Sequence, residues 1–553
     1  MILPRRSDML ARLARERFDL LVIGGGINGA GIARDAAQRG LRVALVDAGD
    51  WAQGTSSRSS RLVHGGVRYL EHGYLHLVFE ASRERRTLLT IAPHLVRPLA
   101  FTWPVYHGAR IPRWKLGAGL WLYDLLAAFG NVGRHRRLSA TGVLAREPKL
   151  RADGLAGGAT YWDAATHDSR LTWANVQDAA LLGACVANHC AVTSLVREGG
   201  RITGAEVTDH LGGQRFVVQA AGVVNAAGPW HDAVARLDDA THPTGVLGTR
   251  GTHVAVERAR LGNVDAVTIV SAVDGRVMFA LPAGPHAIIG TTDTAGDAGP
   301  DAVRATEADI AYLLESANRA FPDARLARTD VVSAWAGIRP LIASGNAGEP
   351  ASASREHRIT TSASGMTSVT GGKLTTYRAM SAEVVSAAAK AIGAAPRASG
   401  TALRALPGGA PHDDQRPARS VAEAVAWREA LEAEAAAGTG AADVGRELVH
   451  AYGSAWRDVW ALGDATPALR ERVAPGLPWT WASVAWAARA EMAVTVADAL
   501  IRRTTIAFQL RDHGRGIALR AAELMGRELG WTRAGVDAAV GEYADEVGGV
   551  LSG

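Results

Sequence analysis

The 553-residue sequence predicts an α/β nucleotide-binding core, an inserted α+β cap domain and a C-terminal helical domain. Three observations carry this. An apolar strand-like run, Leu20 to Ile23, enters a G-x-G-x-x-G turn that opens a helix; strand-to-glycine-turn junctions recur near Asn225 and Gly371; after Gly400 the pattern changes to alanine-rich helical runs. A chain of this length exceeds what one hydrophobic core usually serves.

The first junction is the most telling. Gly24 permits the tight turn, Gly26 lets the backbone approach a pyrophosphate, and Gly29 lets the helix sit close to the sheet, with its N-terminal N–H groups facing the phosphates. A second apolar run, Val43 to Val46, ends at Asp47, eighteen residues beyond Gly29, placed to accept hydrogen bonds from an adenosine ribose. FAD and NAD both satisfy this pattern; the phosphate-bearing ribose of NADP would meet Asp47 with like charge. The hydroxyls of Thr55, Ser56 and Ser57 are expected to serve the pyrophosphate, and Gly65-Gly66 to let the main chain pass a flat ring. Taken alone, that stretch also reads as a helix cap followed by a loop.

Two further turns resume the core. Phe216 to Asn225 leads to the turn at Gly228, and Gly371-Gly372-Lys373-Leu374-Thr375 precedes a helix running to about Ala391. One sheet is therefore expected from distant segments: 1–80, 171–244 and 331–395. Between them, 81–170 reads as a helical, tryptophan-rich part of the cap and 245–330 as its β-rich part, with strands at Val277 to Leu281 and Ala287 to Gly290. The segment 396–553 forms the separate helical domain, with runs at 419–437, 441–451, 481–500 and 514–526.

Composition narrows the function. Sixty basic residues against 55 acidic ones give a formal charge of +5, too small and dispersed for a nucleic-acid partner, and no zinc-type Cys/His spacing calls for a metal. Two cysteines, Cys185 and Cys190, exclude a disulfide framework. Met1 to Phe18 carries arginines and lacks the apolar core of a signal peptide, so a cytoplasmic location is expected, and no apolar run is long enough to span a bilayer. Leu116 to Phe129, flanked by Arg113, Lys115, Arg134, Arg136 and Arg137, suits an interfacial segment on anionic lipid and equally a buried helix with basic ends.

Chemistry-bearing residues cluster in a few motifs. Gly337-Ile338-Arg339-Pro340 fixes an arginine beside a proline, and Arg355 follows sixteen residues later; both offer planar, permanently charged forks for a carboxylate or phosphate. His64 has the side chain whose ordinary pKa best suits a proton acceptor. Lys373 stands at a helix start, where the dipole gives a cation no support, so a functional role is expected for it.

Together, Ile23 to Gly31, His64-Gly65-Gly66-Val67-Arg68-Tyr69-Leu70-Glu71, Gly290-Thr291-Thr292-Asp293, Gly337-Ile338-Arg339-Pro340 and Gly371 to Arg378 resemble the FAD-dependent glycerol-3-phosphate dehydrogenases of the bacterial aerobic type. The likeness runs over essentially the whole chain, including Leu406-Pro407-Gly408-Gly409 and Asp498 to Thr504 in the helical domain. It implies the fold of FAD-dependent oxidoreductases, with glycerol 3-phosphate oxidised to dihydroxyacetone phosphate by hydride transfer from C2 to flavin N5. It further implies delivery of electrons to a membrane quinone by a protein peripherally bound to the inner face of the cell membrane. Carried over by position, Arg68, Tyr69, Arg339, Arg355 and Lys373 line the substrate pocket, His64 and Arg339 share the base role, and Lys373 steadies developing negative charge. Asp47 departs from the glutamate of many relatives, which shifts the ribose contact modestly. An oxidase of the same substrate that returns electrons to oxygen shares all these motifs, a non-catalytic scaffold is the contrasting reading, and homo-oligomerisation stays open.

Overall fold

The computed structural model describes residues 3–67, 70, 74–127, 132–243, 246–271, 273–295, 299–342, 357–411 and 414–552. The nucleotide core is an eight-stranded sheet. Its central strand, Arg17–Ile23, pairs in parallel with Arg215–Asn225 on one side and Val43–Val46 on the other; Thr367–Gly371 and Cys185–Ala187 extend the parallel block outward. Antiparallel strands at 190–198, 201–209 and 357–361 complete it. Leu20, Leu21, Val22, Ala44, Leu45 and Val46 are fully buried, as the middle strands of a covered parallel block require. Helices Ile27–Gln38, Asp168–Leu181 and Tyr377–Ala391 pack side by side against the sheet, the first between the other two. Its strands come from segments far apart in the chain.

The cap is an eleven-stranded sheet that unites both inserts. Leu155–Thr166 and Val96–Tyr106 pair antiparallel, and the latter runs parallel to Ala266–Val270; from there the order continues through Val277–Ala283, His286–Gly290, Val246–Glu257 and Val331–Ile342. Two corrections follow. The segment 81–170 is α+β rather than helical, because its two longest strands pair across eleven positions. Residues 331–342 belong to the cap sheet rather than the core, since Val331–Ile342 pairs along its length with Val246–Glu257.

The helical domain packs its tryptophans, among them Trp479, Trp481 and Trp486, into one apolar core with Phe101, Tyr123, Tyr161 and Trp335 of the cap. Its helices Val421–Thr439, Ala442–Tyr452 and Ala518–Leu529 follow the expected runs, whereas the run from 481 stops at Ala490 and resumes as a π-helical turn, Asp498–Arg503. An additional helix, Arg533–Val550, leads into Leu551–Ser552, which adds an edge strand to the cap sheet.

A buried ion network ties this domain to the core. Asp50 accepts hydrogen bonds from Arg502 Nε and Arg503 Nη1, both at 2.7 Å, and from Asn188 Nδ2 at 2.9 Å. Asp498 accepts from Arg502 Nη2 at 2.7 Å and pairs with His189 Nε2 at 3.1 Å. Arg503 also lies over the Trp173 ring, 5.0 Å from its centre. Charges this deeply buried persist only when each is paired.

Candidate active site

A cleft of about 610 Å³ runs between core and cap, within the size range of small-molecule and cofactor sites. Its core wall is the glycine turn. Gly24 has φ +106°, and a Cβ there would meet the carbonyl oxygen of Ala226 at 2.7 Å. A Cβ at Gly29 would stand 1.8 Å from the Gly24 oxygen, so only glycine lets the helix lie this close to the strand. Gly26, the helix N-cap, lines the cleft, and a Cβ on it would come within 3.2 Å of Ser56 Oγ. Asp47 accepts the Gly25 N–H at 2.5 Å through one carboxylate oxygen and the Gly49 N–H at 2.8 Å through the other. Burial raises its pKa, opposed by these two donors. Each oxygen keeps a second lone pair, so a vicinal diol can still be bound.

The hydroxyls around the turn have structural partners. Ser56 Oγ accepts the Ile27 N–H at 2.9 Å, Thr55 Oγ1 donates to the Ile338 carbonyl of the cap at 2.6 Å, and Ser57 is buried behind them. Thr55 and Ser56 line the cleft, with Gly24, Asp47, Gly228, Gly371, Gly372 and Leu374. Gly228, Gly371 and Gly372 all have positive φ. Gly29, Ser57, Gly65 and Thr375 stand outside the cleft wall. Gly65 donates its N–H to Tyr123 OH and Asp163, each at 3.0 Å, in a buried group completed by Arg85. Thr375 ties down the cleft residue His64: its hydroxyl accepts the His64 N–H at 3.1 Å and donates to the His64 carbonyl at 3.2 Å.

The cap wall brings Arg339, His253 and Gly251 to the cleft that holds His64 and Lys373. Arg339 donates to Asp293 Oδ1 at 3.0 Å and to Thr291 Oγ1 and the Thr292 carbonyl, both at 3.1 Å. A Cβ at Gly251 would sit 2.5 Å from Arg339 Nη2, so glycine there makes room for the fork. Arg68, Tyr69 and Arg355 lie outside the described residues, as does Phe129.

Sequence reasoning missed His253. Its Nε2 is 2.8 Å from Ser60 Oγ, its ring stacks on Trp335 at 5.4 Å, and burial together with the charges of Arg339 and Arg61 pushes its pKa down to about 3. The imidazole is therefore neutral at pH 7. Its signal was the run of glycine and polar residues from Gly248 to Thr252 that precedes it, before the apolar Val254-Ala255-Val256. Arg58 was also missed; it lines the cleft, and burial with the nearby charge of Arg502 lowers its pKa to about 10. The arrangement joins a dinucleotide cradle to a patch of fixed positive charge and a neutral imidazole. That suits oxidation of a small anionic alcohol.

Comparison with known proteins agrees. Residues 19–378 match the family described as FAD dependent oxidoreductase, and residues 399–536 match the C-terminal domain of alpha-glycerophosphate oxidase. The chain is 38% identical over 548 residues to glycerol-3-phosphate dehydrogenase 2 of Mycobacterium tuberculosis, covering 98% of this chain and 90% of the relative. It is 36% identical over 549 residues to the human mitochondrial glycerol-3-phosphate dehydrogenase, covering 95% of this chain and 72% of that protein. The crystal structure of glycerol-3-phosphate dehydrogenase from Bacillus halodurans complexed with FAD superposes with a TM-score of 0.80 at 31% identity, over 99% of this chain and 97% of that one.

Proposed function

Because the chain belongs to the FAD-dependent oxidoreductase family, in its glycerol-3-phosphate dehydrogenase and oxidase group, we propose that it oxidises sn-glycerol 3-phosphate to dihydroxyacetone phosphate and passes the electrons to a membrane quinone. FAD fits the cleft on this chain's own residues: the glycine turn leaves no room for a Cβ at Gly24 or Gly29, and Asp47 retains acceptor capacity at the end of the second strand. When bound, FAD supplies the hydride acceptor, N5 of its ring.

The observation that carries the reading is Arg339. Its guanidinium is held by Asp293, Thr291 and the Thr292 carbonyl in the same cleft as the glycine turn, so it meets an anionic or developing-alkoxide oxygen without reorganising. Arg58 and Lys373 add positive charge to that cleft, which favours a phosphate ester over a neutral polyol. A guanidinium does not give up its proton in a protein, so Arg339 orients the substrate and the base is an imidazole. His253 is neutral and lines the cleft, and a bound phosphate dianion raises its basicity; His64 is the second imidazole in reach of the cleft. Arg68, Tyr69 and Arg355 complete the pocket in this reading.

A quinone acceptor is favoured by the surface. Trp114, Trp121 and Leu125 are 71%, 56% and 44% exposed on one face of helix Arg113–Leu126; Tyr74, Leu75 and Phe79 are exposed at the start of helix Leu75–Ile91, which packs against it, and Arg113, Lys115, Arg134, Arg136 and Arg137 are exposed as well. No helix among the described residues is long and apolar enough to cross a membrane, so contact would be peripheral. The test is anaerobic. Glycerol 3-phosphate should bleach the flavin, and the reduced enzyme should then be reoxidised faster by a quinone analogue than by oxygen. No bleaching sinks the substrate assignment; rapid stoichiometric peroxide formation makes the protein an oxidase.

A further inference from the structure

We propose that His231, Asp232 and His242 bind one divalent transition-metal ion of the zinc type, on the helix His231–Asp238 whose Ala233 and Val234 line the cleft. One donor atom from each residue lies within 4.8 Å of the other two. Asp232 Oδ1 is 3.0 Å from His231 Nδ1 and 3.8 Å from His242 Nε2, and the two rings are 5.9 Å apart. A hydrogen-bonded His231–Asp232 pair accounts for the first distance only. His242 approaches the same carboxylate only at ion-pair distance, and the Nε2 atoms of both imidazoles are shut off from solvent without a hydrogen bond. Buried ring nitrogens in that state lower stability unless something takes their lone pairs.

The donor set decides the class of ion. Two imidazole nitrogens and one carboxylate oxygen suit Zn²⁺ or another late first-row cation, whereas Ca²⁺ and Mg²⁺ favour oxygen ligands throughout. Donors bound at about 2.1 Å in tetrahedral geometry stand roughly 3.4 Å apart, so atoms within 4.8 Å of one another close on an ion with shifts of up to about 1.4 Å. His242 can make that shift, because its side chain is 31% exposed and follows the helix end, while His231 is fixed at 5% exposure. Three protein ligands leave the fourth position to water. The ion would clasp the first turn of the helix to the residue beyond its last turn, and so brace the cleft wall that begins at Gly228-Pro229-Trp230.

Tag-free holoenzyme, treated with a chelator and dialysed, is titrated with Zn²⁺ by calorimetry and with Co²⁺ by visible absorption. One equivalent should bind, with a Co²⁺ spectrum of nitrogen and oxygen donors, and a hundredfold excess over Kd should raise Tm by about 2 °C. His242→Ala should weaken binding at least tenfold while leaving flavin content and metal-free Tm unchanged, which shows that the variant is folded; Asp232→Asn should do likewise. Absence of stoichiometric binding overturns the proposal. So does binding that His242→Ala leaves intact, which would move the ion to another group such as Asp50, His189 and Asp498.

Discussion

Replacing Trp114 and Trp121 by serine tests the membrane contact most directly. A tryptophan side chain offers up to about 250 Å². At 71% and 56% exposure the two present roughly 175 and 140 Å² to solvent. At about 25 cal/mol per Å², and with half of that area entering the headgroup boundary, each contributes around 2 kcal/mol to partitioning. The double variant should therefore lose about 4 kcal/mol, close to a thousandfold in partition coefficient, and either single variant about thirtyfold. Folding should be nearly unaffected, because exposed surface changes usually stay within about 0.5 kcal/mol. The assay is co-sedimentation with vesicles of zwitterionic and anionic phospholipid at low and high salt. Binding of the wild type should weaken with salt, since each exposed Arg or Lys near the surface adds about 1 kcal/mol of screened attraction. A wild type that ignores anionic vesicles, or a double variant within threefold of it, refutes the reasoning.

Gly29→Ala should abolish flavin retention, because its Cβ would collide with the Gly24 carbonyl; a yellow purified variant would contradict this. Bulkier residues at Gly26 should do the same, read as flavin released on denaturation. Arg339→Lys should lower kcat/KM on glycerol 3-phosphate by two to three decades, about 3 to 4 kcal/mol, since an ammonium cannot satisfy Asp293, Thr291 and an anionic oxygen together. Equal losses on unphosphorylated glycerol would remove the phosphate role. Acid should destabilise the fold. Burial pushes His94 and His253 to about 3, below their unfolded value, so the unfolded chain binds more protons and stability falls as pH drops below about 6.5. The two together should cost about 3 kcal/mol between pH 7.5 and 5.5, measured by urea unfolding, and a flat profile would exclude neutral buried histidines there.

The parts legible in the sequence were those with a local period. Strand, glycine turn, helix and Asp47 lie within thirty residues, and each places the next. The cap was harder because its strands lack strand composition. Val96–Tyr106 carries Pro98 and Pro104, and Leu155–Thr166 carries Gly157 and Gly158; their pairing with each other, some sixty residues apart, makes them strands. In the site, Thr55 and Ser56 were visible as hydroxyls, but their partners, the Ile338 carbonyl and the Ile27 N–H, depend on which backbone the fold brings near. His253 was hidden for the same reason: its neutrality comes from burial and then from the charges of Arg339 and Arg61, all set by parts of the chain remote in sequence. The helix Arg533–Val550 was missed because glycines at 535, 541, 548 and 549 blur its face.

The ion network at Asp50 gives cofactor loading a place in time. Asp50 lies three residues beyond Asp47, but Arg502 and Arg503, which neutralise it, are 452 and 453 positions further along. A ribosome therefore releases a carboxylate destined for the interior long before its counter-charges are made. During that interval the turn after Asp47 has reason to stay in water. A chain cut short before Arg502 leaves Asp50 without its counter-charges and should emerge colourless however much flavin surrounds it.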